Sequence, residues 1–177
     1  MGDPRWVGIV VSGTGARLVD LEVPATGPLV AMSEQGFSLQ KGDRPKAYVA
    51  IWKRIENYLR ENEVECAVVK ESALPPRGNA SKSLLESAEL RGVVLGAAAS
   101  VCRVITSKRA TVSRTFGDRK VDDYLSDDSF WATEISGLKN KVSREATLLV
   151  LAEVRARTNS TKKSSTKAKS AKKKSSP

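Results

Sequence analysis

The sequence predicts an α/β fold, a mixed β-sheet flanked by helices, with a disordered basic C-terminal tail. Three observations lead there. Two β-branched runs separated by a Gly-rich turn open the chain. After residue 43 short apolar runs alternate with helical periodicity, and no repeat or heptad interrupts them. The chain has 177 residues, 40% of them hydrophobic, which is enough to bury one core.

Trp6–Val11 (WVGIVV) reads as a first strand, SGTG turns the chain, and Ala16–Val23 alternates as a second strand, so the opening is a hairpin. Pro24, Gly27 and Pro28 interrupt, LVAM forms a short third strand, and Gly36–Asp43 reads as loop. Asp43 and Pro45 mark a helix start. Tyr48, Trp52, Ile55 and Leu59, spaced four, three and four apart, give that helix its apolar face and end it near Asn62. Cys66–Val69 is a continuous apolar run, the composition of a strand covered on both faces. The loop SALPPRGNA follows.

From Ser81 to about Ser100 a long helix is expected, its packed face made of Ala88, Gly92, Leu95, Gly96 and Ala99. Val101–Ile105 reads as another buried strand, followed by the basic segment Ser107–Phe116 and the acidic stretch Asp118–Asp128. Phe130 and Trp131 open a mixed segment. The last helix spans about Lys139 to Arg157, with Val142, Ala146, Leu149, Val150 and Val154 as its apolar positions. Strands thus alternate with helices after an initial hairpin, which implies a mixed sheet in one domain over residues 1–157.

Charge separates the remaining twenty residues from that body. Seven of the thirty basic residues follow Thr158 and no acid does, so the body carries +3 and the tail seven of the ten net charges. Residues 158–177 are almost all Lys, Ser, Thr and Ala, with nothing to bury, and disorder is expected there. The tail resembles those of linker histones and bacterial nucleoid proteins. Flexible ammonium groups neutralise phosphates by counterion release, so Lys162, Lys163, Lys172, Lys173 and Lys174 are expected to bind nucleic acid without sequence preference. The alternative is a tail that only solubilises; an anionic membrane would want an apolar anchor as well.

No apolar stretch reaches membrane-spanning length, and MGDPRW lacks a secretory pattern, so the expected location is cytoplasmic, with nucleoid association. Cys66 and Cys102 lie in apolar runs and read as reduced, buried thiols. The sequence contains no histidine, which excludes the usual zinc and haem ligand sets and any Ser-His or Cys-His catalytic pair. Chemistry here falls to carboxylates, lysines or hydroxyls.

The element order resembles the ribonuclease H-like fold. Within it, ESAELRGVVLGAAAS, residues 86–100, resembles the helix with an Arg-Gly-Val core in RuvC-type Holliday-junction resolvases. Val68-Val69-Lys70-Glu71 is similar to the preceding strand, which ends in a catalytic glutamate. Val101–Ile105 with the SKRATV segment after it is similar to the next strand and its basic turn, and Lys139–Arg157 to the terminal helix.

The resemblance implies a site where carboxylates hold Mg²⁺ for phosphodiester hydrolysis. Glu71 matches the strand glutamate, and Glu145 is the candidate on the last helix, both as catalytic residues and metal ligands. Lys70, Arg77, Lys82, Lys108 and Arg109 would bind flanking phosphates. The pattern departs at the first acid: Gly8-Ile9 is followed by Val10, with Asp20 or Asp3 as the available substitutes. Two readings stay open, a Mg²⁺-dependent structure-specific nuclease and a catalytically degenerate binding or assembly module, with DNA favoured over RNA and a homodimer allowed.

Each motif also has a bland reading. Glu71 can be a polar strand terminator, and Glu145 a boundary residue with Glu153 as competitor. Ser12–Gly15 can cradle a phosphate as in actin-like ATPases, but reads more simply as a hairpin turn. Trp6, Trp52 and Trp131 read as core or edge residues, because no basic and aromatic interleaving surrounds them.

Overall fold

β1 (Arg5–Ser12) and β2 (Gly15–Glu22) form the expected hairpin, in register from Arg5↔Glu22 to Ser12↔Gly15 around a two-residue turn. The chain is described here by a computed structural model covering residues 2–72, 81–117, 119–135, 137–138 and 140–172, with side chains as far as Thr158. The third strand is longer than its sequence suggests. β3 (Val30–Ser38) takes in the polar SEQG segment and pairs with β2 along its whole length, with a bulge at Asp20/Leu21. An edge strand exposed along most of its length needs no apolar run, so periodicity marked only its beginning.

α1 (Arg44–Glu61) starts where Asp43 accepts the Lys46 N–H at 3.2 Å and Pro45 occupies the first turn, and its C-cap is Asn62. It buries Ala47, Ile51, Ile55 and Leu59, with Tyr48 and Trp52 half-buried at the margin. β4 (Cys66–Lys70) lies parallel to β1 in the middle of the sheet. α2 (Lys82–Ala99), capped by Ser81, returns the chain to β5 (Arg103–Ser107), parallel to β4. The resulting order is β3-β2-β1-β4-β5.

Two expectations change here. β5 begins two residues later than expected and is an edge strand, half-exposed through most of its length. The buried face of α2 is Leu90, Val94, Ala97 and Ala98, while Ala88, Gly92 and Ala99 are exposed. That helix is weakly amphipathic, so its small residues did not reveal which side meets the sheet. Of the expected face, Leu95 packs at the margin of the core and Gly96 is needed for close approach, because a Cβ there would run into the Trp52 ring.

α3 (Arg109–Thr115), α4 (Val121–Leu125) and α5 (Asp128–Glu134) are short helices in the basic, acidic and mixed segments. α6 (Lys141–Lys172) buries Ser143 through Ala152 almost without interruption. Val142, expected in its apolar face, is 42% exposed. From Asn159 the sequence offers α6 no large apolar side chain, as expected of a tail with nothing to bury.

Strand alternation divides the core into two layers. Trp6, Val10, Val19, Leu21, Cys66 and Val68 face α6 and the short helices. Val7, Ile9, Ala16, Leu18, Ala67 and Val69 face α1 and α2. α6 descends onto the middle of the sheet at Gly8, where a Cβ would overlap the Ala146 carbonyl. Each fully buried Leu or Val in this layer contributes about 1.5–3 kcal/mol. Trp6 and Trp131 are core residues, as expected. Among the described residues both thiols are free, Cys66 buried and Cys102 half-buried, where burial pushes its thiol up to about 11. No helix among the described residues is long and apolar enough to cross a membrane.

Candidate functional site

The register places one row of side chains across the carboxyl end of the sheet, on the α6 face. Gly36 pairs with Arg17, Arg17 with Val10, and Lys70 with Ser107. The β1–β4 ladder runs to Ile9↔Val69, so its next step sets Lys70 beside Val10. From edge to edge the row reads Gly36, Arg17, Val10, Lys70, Ser107. Above it stands α6.

Glu145 meets this row from α6. Its side chain is 11% exposed, with Oε1 lying 2.9 Å from Lys70 Nζ and 3.1 Å from Arg109 Nε. Among the described residues neither Arg109 Nε nor Glu145 Oε1 has an aligned hydrogen bond, so the two meet as an ion pair without hydrogen-bond geometry. Arg109 also reaches Asp122 of α4 at 2.6 Å. Glu71, one residue beyond β4, lies 3.7 Å from Lys108 Nζ. Each expected carboxylate is matched with a cation, Glu145 with Lys70 and Arg109, and Glu71 with Lys108. Ser107 ends β5 with a buried hydroxyl that has no hydrogen-bond partner among the described residues.

Beside Lys70 a cavity of about 410 Å³ opens at the hairpin end of the sheet. Its polar lining includes Arg17, Lys70, Ser12, Thr14 and Ser38, and its apolar lining Val10, Val11, Phe37 and Val142. Gly13, in the turn, packs against Ser83, Glu86 and Ser87 at the start of α2. Ser12–Gly15 is therefore a hairpin turn, with the Ser12 and Thr14 hydroxyls 3.2 Å apart.

Neither proposed substitute for the first acid reaches this end. Asp20 is buried beside Arg5 and accepts from the Tyr58 hydroxyl at 2.8 Å. Asp3 precedes β1, about 23 Å from Val10 at 3.3 Å per residue. Of the expected phosphate-binding residues, Lys70, Lys108 and Arg109 cluster at the rim. Lys82 is exposed at the start of α2, 3.9 Å from Glu86. Arg77, Lys173 and Lys174 lie outside the described residues, and Lys162, Lys163 and Lys172 fall within α6.

The donor set does not fit a divalent ion. Hard cations need several carboxylate or carbonyl oxygens converging on one point. Here Val10 stands where the resemblance implies the first acid, and Lys70 and Arg109 both lie against the same oxygen of Glu145. Among the described residues no three acidic or thiol side chains group closely enough to hold a metal.

Sequence reasoning missed Arg17, Val142 and Asp122. Arg17 was within reach: a two-residue turn at Gly13-Thr14 counts back to Val10↔Arg17. The partners of Val142 and Asp122 depend on where α6 and α4 dock, which no local pattern encodes.

A five-stranded mixed sheet in this order, with α6 crossing one face and α1 and α2 the other, is a ribonuclease H-like fold of the RuvC type. The solved structures it resembles say so directly. Thermus thermophilus RuvC aligns at TM-score 0.68 and 16% identity, over 88% of this chain and 96% of that one. T. thermophilus RuvC in complex with a Holliday junction substrate aligns at TM-score 0.68 and 14% identity, over 87% and 96%. The yeast mitochondrial Holliday junction resolvase Ydc2 aligns at TM-score 0.60 and 9% identity, over 87% and 80%. No family model and no curated relative matches the chain. At these identities the likeness defines the architecture.

Proposed function

We propose that this chain is a nucleic-acid-binding protein of RuvC-like fold that holds DNA without cutting it. The observation behind this reading is the Lys70–Glu145 ion pair, set beside Val10, the position where the resemblance implies the first metal-binding acid. A fixed ammonium supplies positive charge there, but it brings no activated water and no Lewis acid. Around the rim four cations, Arg17, Lys70, Lys108 and Arg109, face three acids, Glu71, Asp122 and Glu145. The balance suits a phosphate backbone. The body spans residues 1–157, and the lysine tail from Thr158 adds sequence-blind affinity.

A ligand that binds only the folded state must raise its melting temperature. Millimolar Mg²⁺ or Mn²⁺ is therefore expected to leave Tm unchanged, while a four-way junction or plain duplex raises it in a salt-dependent way. The competing reading is a Mg²⁺-dependent nuclease using Glu71 and Glu145. Cleavage of branched DNA in Mg²⁺ that disappears in Glu71→Gln would establish that reading and overturn ours.

A further inference from the structure

α6 carries the lysine tail away from the rim, the carboxyl end of the sheet where Glu145 meets Lys70 and Arg109. Near its start Glu145 Oε1 lies 2.9 Å from Lys70 Nζ at the end of β4. Further along, Arg157 Cζ stands 4.4 Å from the centroid of the Trp6 ring, and Trp6 pairs with Cys66 at the opposite end of the same strands. The helix therefore runs against the direction of β1 and β4 and leaves the body at their amino ends. Its backbone stays helical to Lys172. At 1.5 Å per residue, Lys162 is about 26 Å and Lys172 about 40 Å from Glu145 along the axis.

Those distances exceed the Debye length, about 10 Å at 0.1 M ionic strength, by more than a factor of two. Charges on the tail therefore add little to the field at the rim and must find phosphates of their own. The rim cations set a different direction. Arg17 on β2, Lys70 on β4 and Lys108 just beyond β5 succeed one another across the strands, over three strand spacings or about 14 Å. A phosphate backbone following them runs across the sheet, and α6 points away from it. Duplex DNA keeps its direction over about 500 Å, so a turn from the row into the line of α6 demands a sharp bend. Acids oppose that bend: Glu22, in register with Arg5, and Glu65, whose N–H donates to the Arg5 carbonyl at 2.8 Å, place negative charge beside Trp6 where α6 leaves the body.

Resting on the nucleic-acid reading above, we infer that the rim and the tail hold separate duplex segments, so that one chain bridges two stretches of DNA. The rim takes one segment across the carboxyl end of the sheet. The lysines beyond Thr158 take the other on the far side of the body, and α6 is the spacer between them. Contacts made by flexible ammonium groups are sequence-blind, so any duplex serves as the second segment.

The test uses the full chain and two short duplexes, one biotinylated on streptavidin beads and one labelled with fluorescein, in EDTA at about 0.1 M salt. Once the beads are loaded with wild type and washed, they are expected to retain the fluorescein duplex. Two full-length variants are compared, one with the seven tail lysines replaced by glutamine, the other carrying Arg17→Gln and Lys108→Gln. Each keeps only one of the two contacts, so at equal protein loading each is expected to retain about fivefold less fluorescein duplex, or lower still. Neither variant removes a partner of Glu145, and an unchanged Tm shows that each is folded; if the double variant melts lower, Lys108→Gln alone replaces it. If either variant retains as much fluorescein duplex as wild type, as self-association or paired tails would cause, the inference is overturned. It is overturned equally if wild type loads onto the beads yet retains no second duplex, and in both cases nucleic-acid binding stands. If wild type binds neither duplex, both readings fall together.

Discussion

Glu145 is nearly buried, yet two cations contact it, and the energetics follow from that mismatch. Burying a carboxylate is expensive, and Lys70 and Arg109 return part of the cost because both remain partly solvated. Glu145→Gln leaves two positive groups facing a neutral amide. It is expected to lower unfolding free energy by about 1–2 kcal/mol, measured by urea denaturation, well below the loss seen when a fully buried pair is broken. A second residue reports on pH. Burial pushes the Tyr58 phenol up to about 12, and its hydroxyl donates to Asp20. The unfolded phenol titrates near 10, so its contribution is complete below about pH 10 and is lost as pH rises through 12. Compared with wild type, Tyr58→Phe should show a shallower fall of Tm between pH 10 and 12, and should lose the highest step in an ultraviolet phenolate titration.

Among the elements, α6 depends most on a single position. Gly8 lets its backbone approach the sheet until the Ala146 carbonyl touches β1. Gly8→Ala must lift the helix off Val19 and Val68 or distort β1. We expect a loss of about 3 kcal/mol and a Tm lower by about 10 °C, read by circular dichroism. A Tm within 2 °C of wild type would show that α6 packs elsewhere. The elements also show what a sequence reveals. The hairpin, α1 with its cap, β4 and the packed part of α6 were legible because strong local signals, β-branched runs, Asp43-Arg44-Pro45 and four-three-four spacing, agreed with the tertiary result. β3 and β5 lie at sheet edges, where burial is partial, so apolar runs marked only the start of β3 and set β5 two residues early, and α2 is apolar on too many sides to name its buried face. Of the site, Glu71 and Glu145 could be named from the resemblance, whereas the pairing of Glu145 with Lys70 and Arg109 required the register and the docking of α6.

For the whole molecule the decisive property is the separation of charge between body and appendage. Seven lysines beyond Thr158, each releasing about 0.9 counterion on duplex DNA, set an upper limit of about 6 on the tail's share of the salt slope. A chain ending at Thr158 is expected to lose much of that slope, retain a weaker and less salt-sensitive affinity, and melt at the same temperature without DNA. An unchanged slope would mean that the lysines do not touch phosphate. The row across the sheet has a genetic implication as well. In the genetic code a valine codon becomes an aspartate codon, and a lysine codon a glutamate codon, by one nucleotide change each. Positions 10 and 70 thus stand two point mutations from an acidic pair beside Glu145.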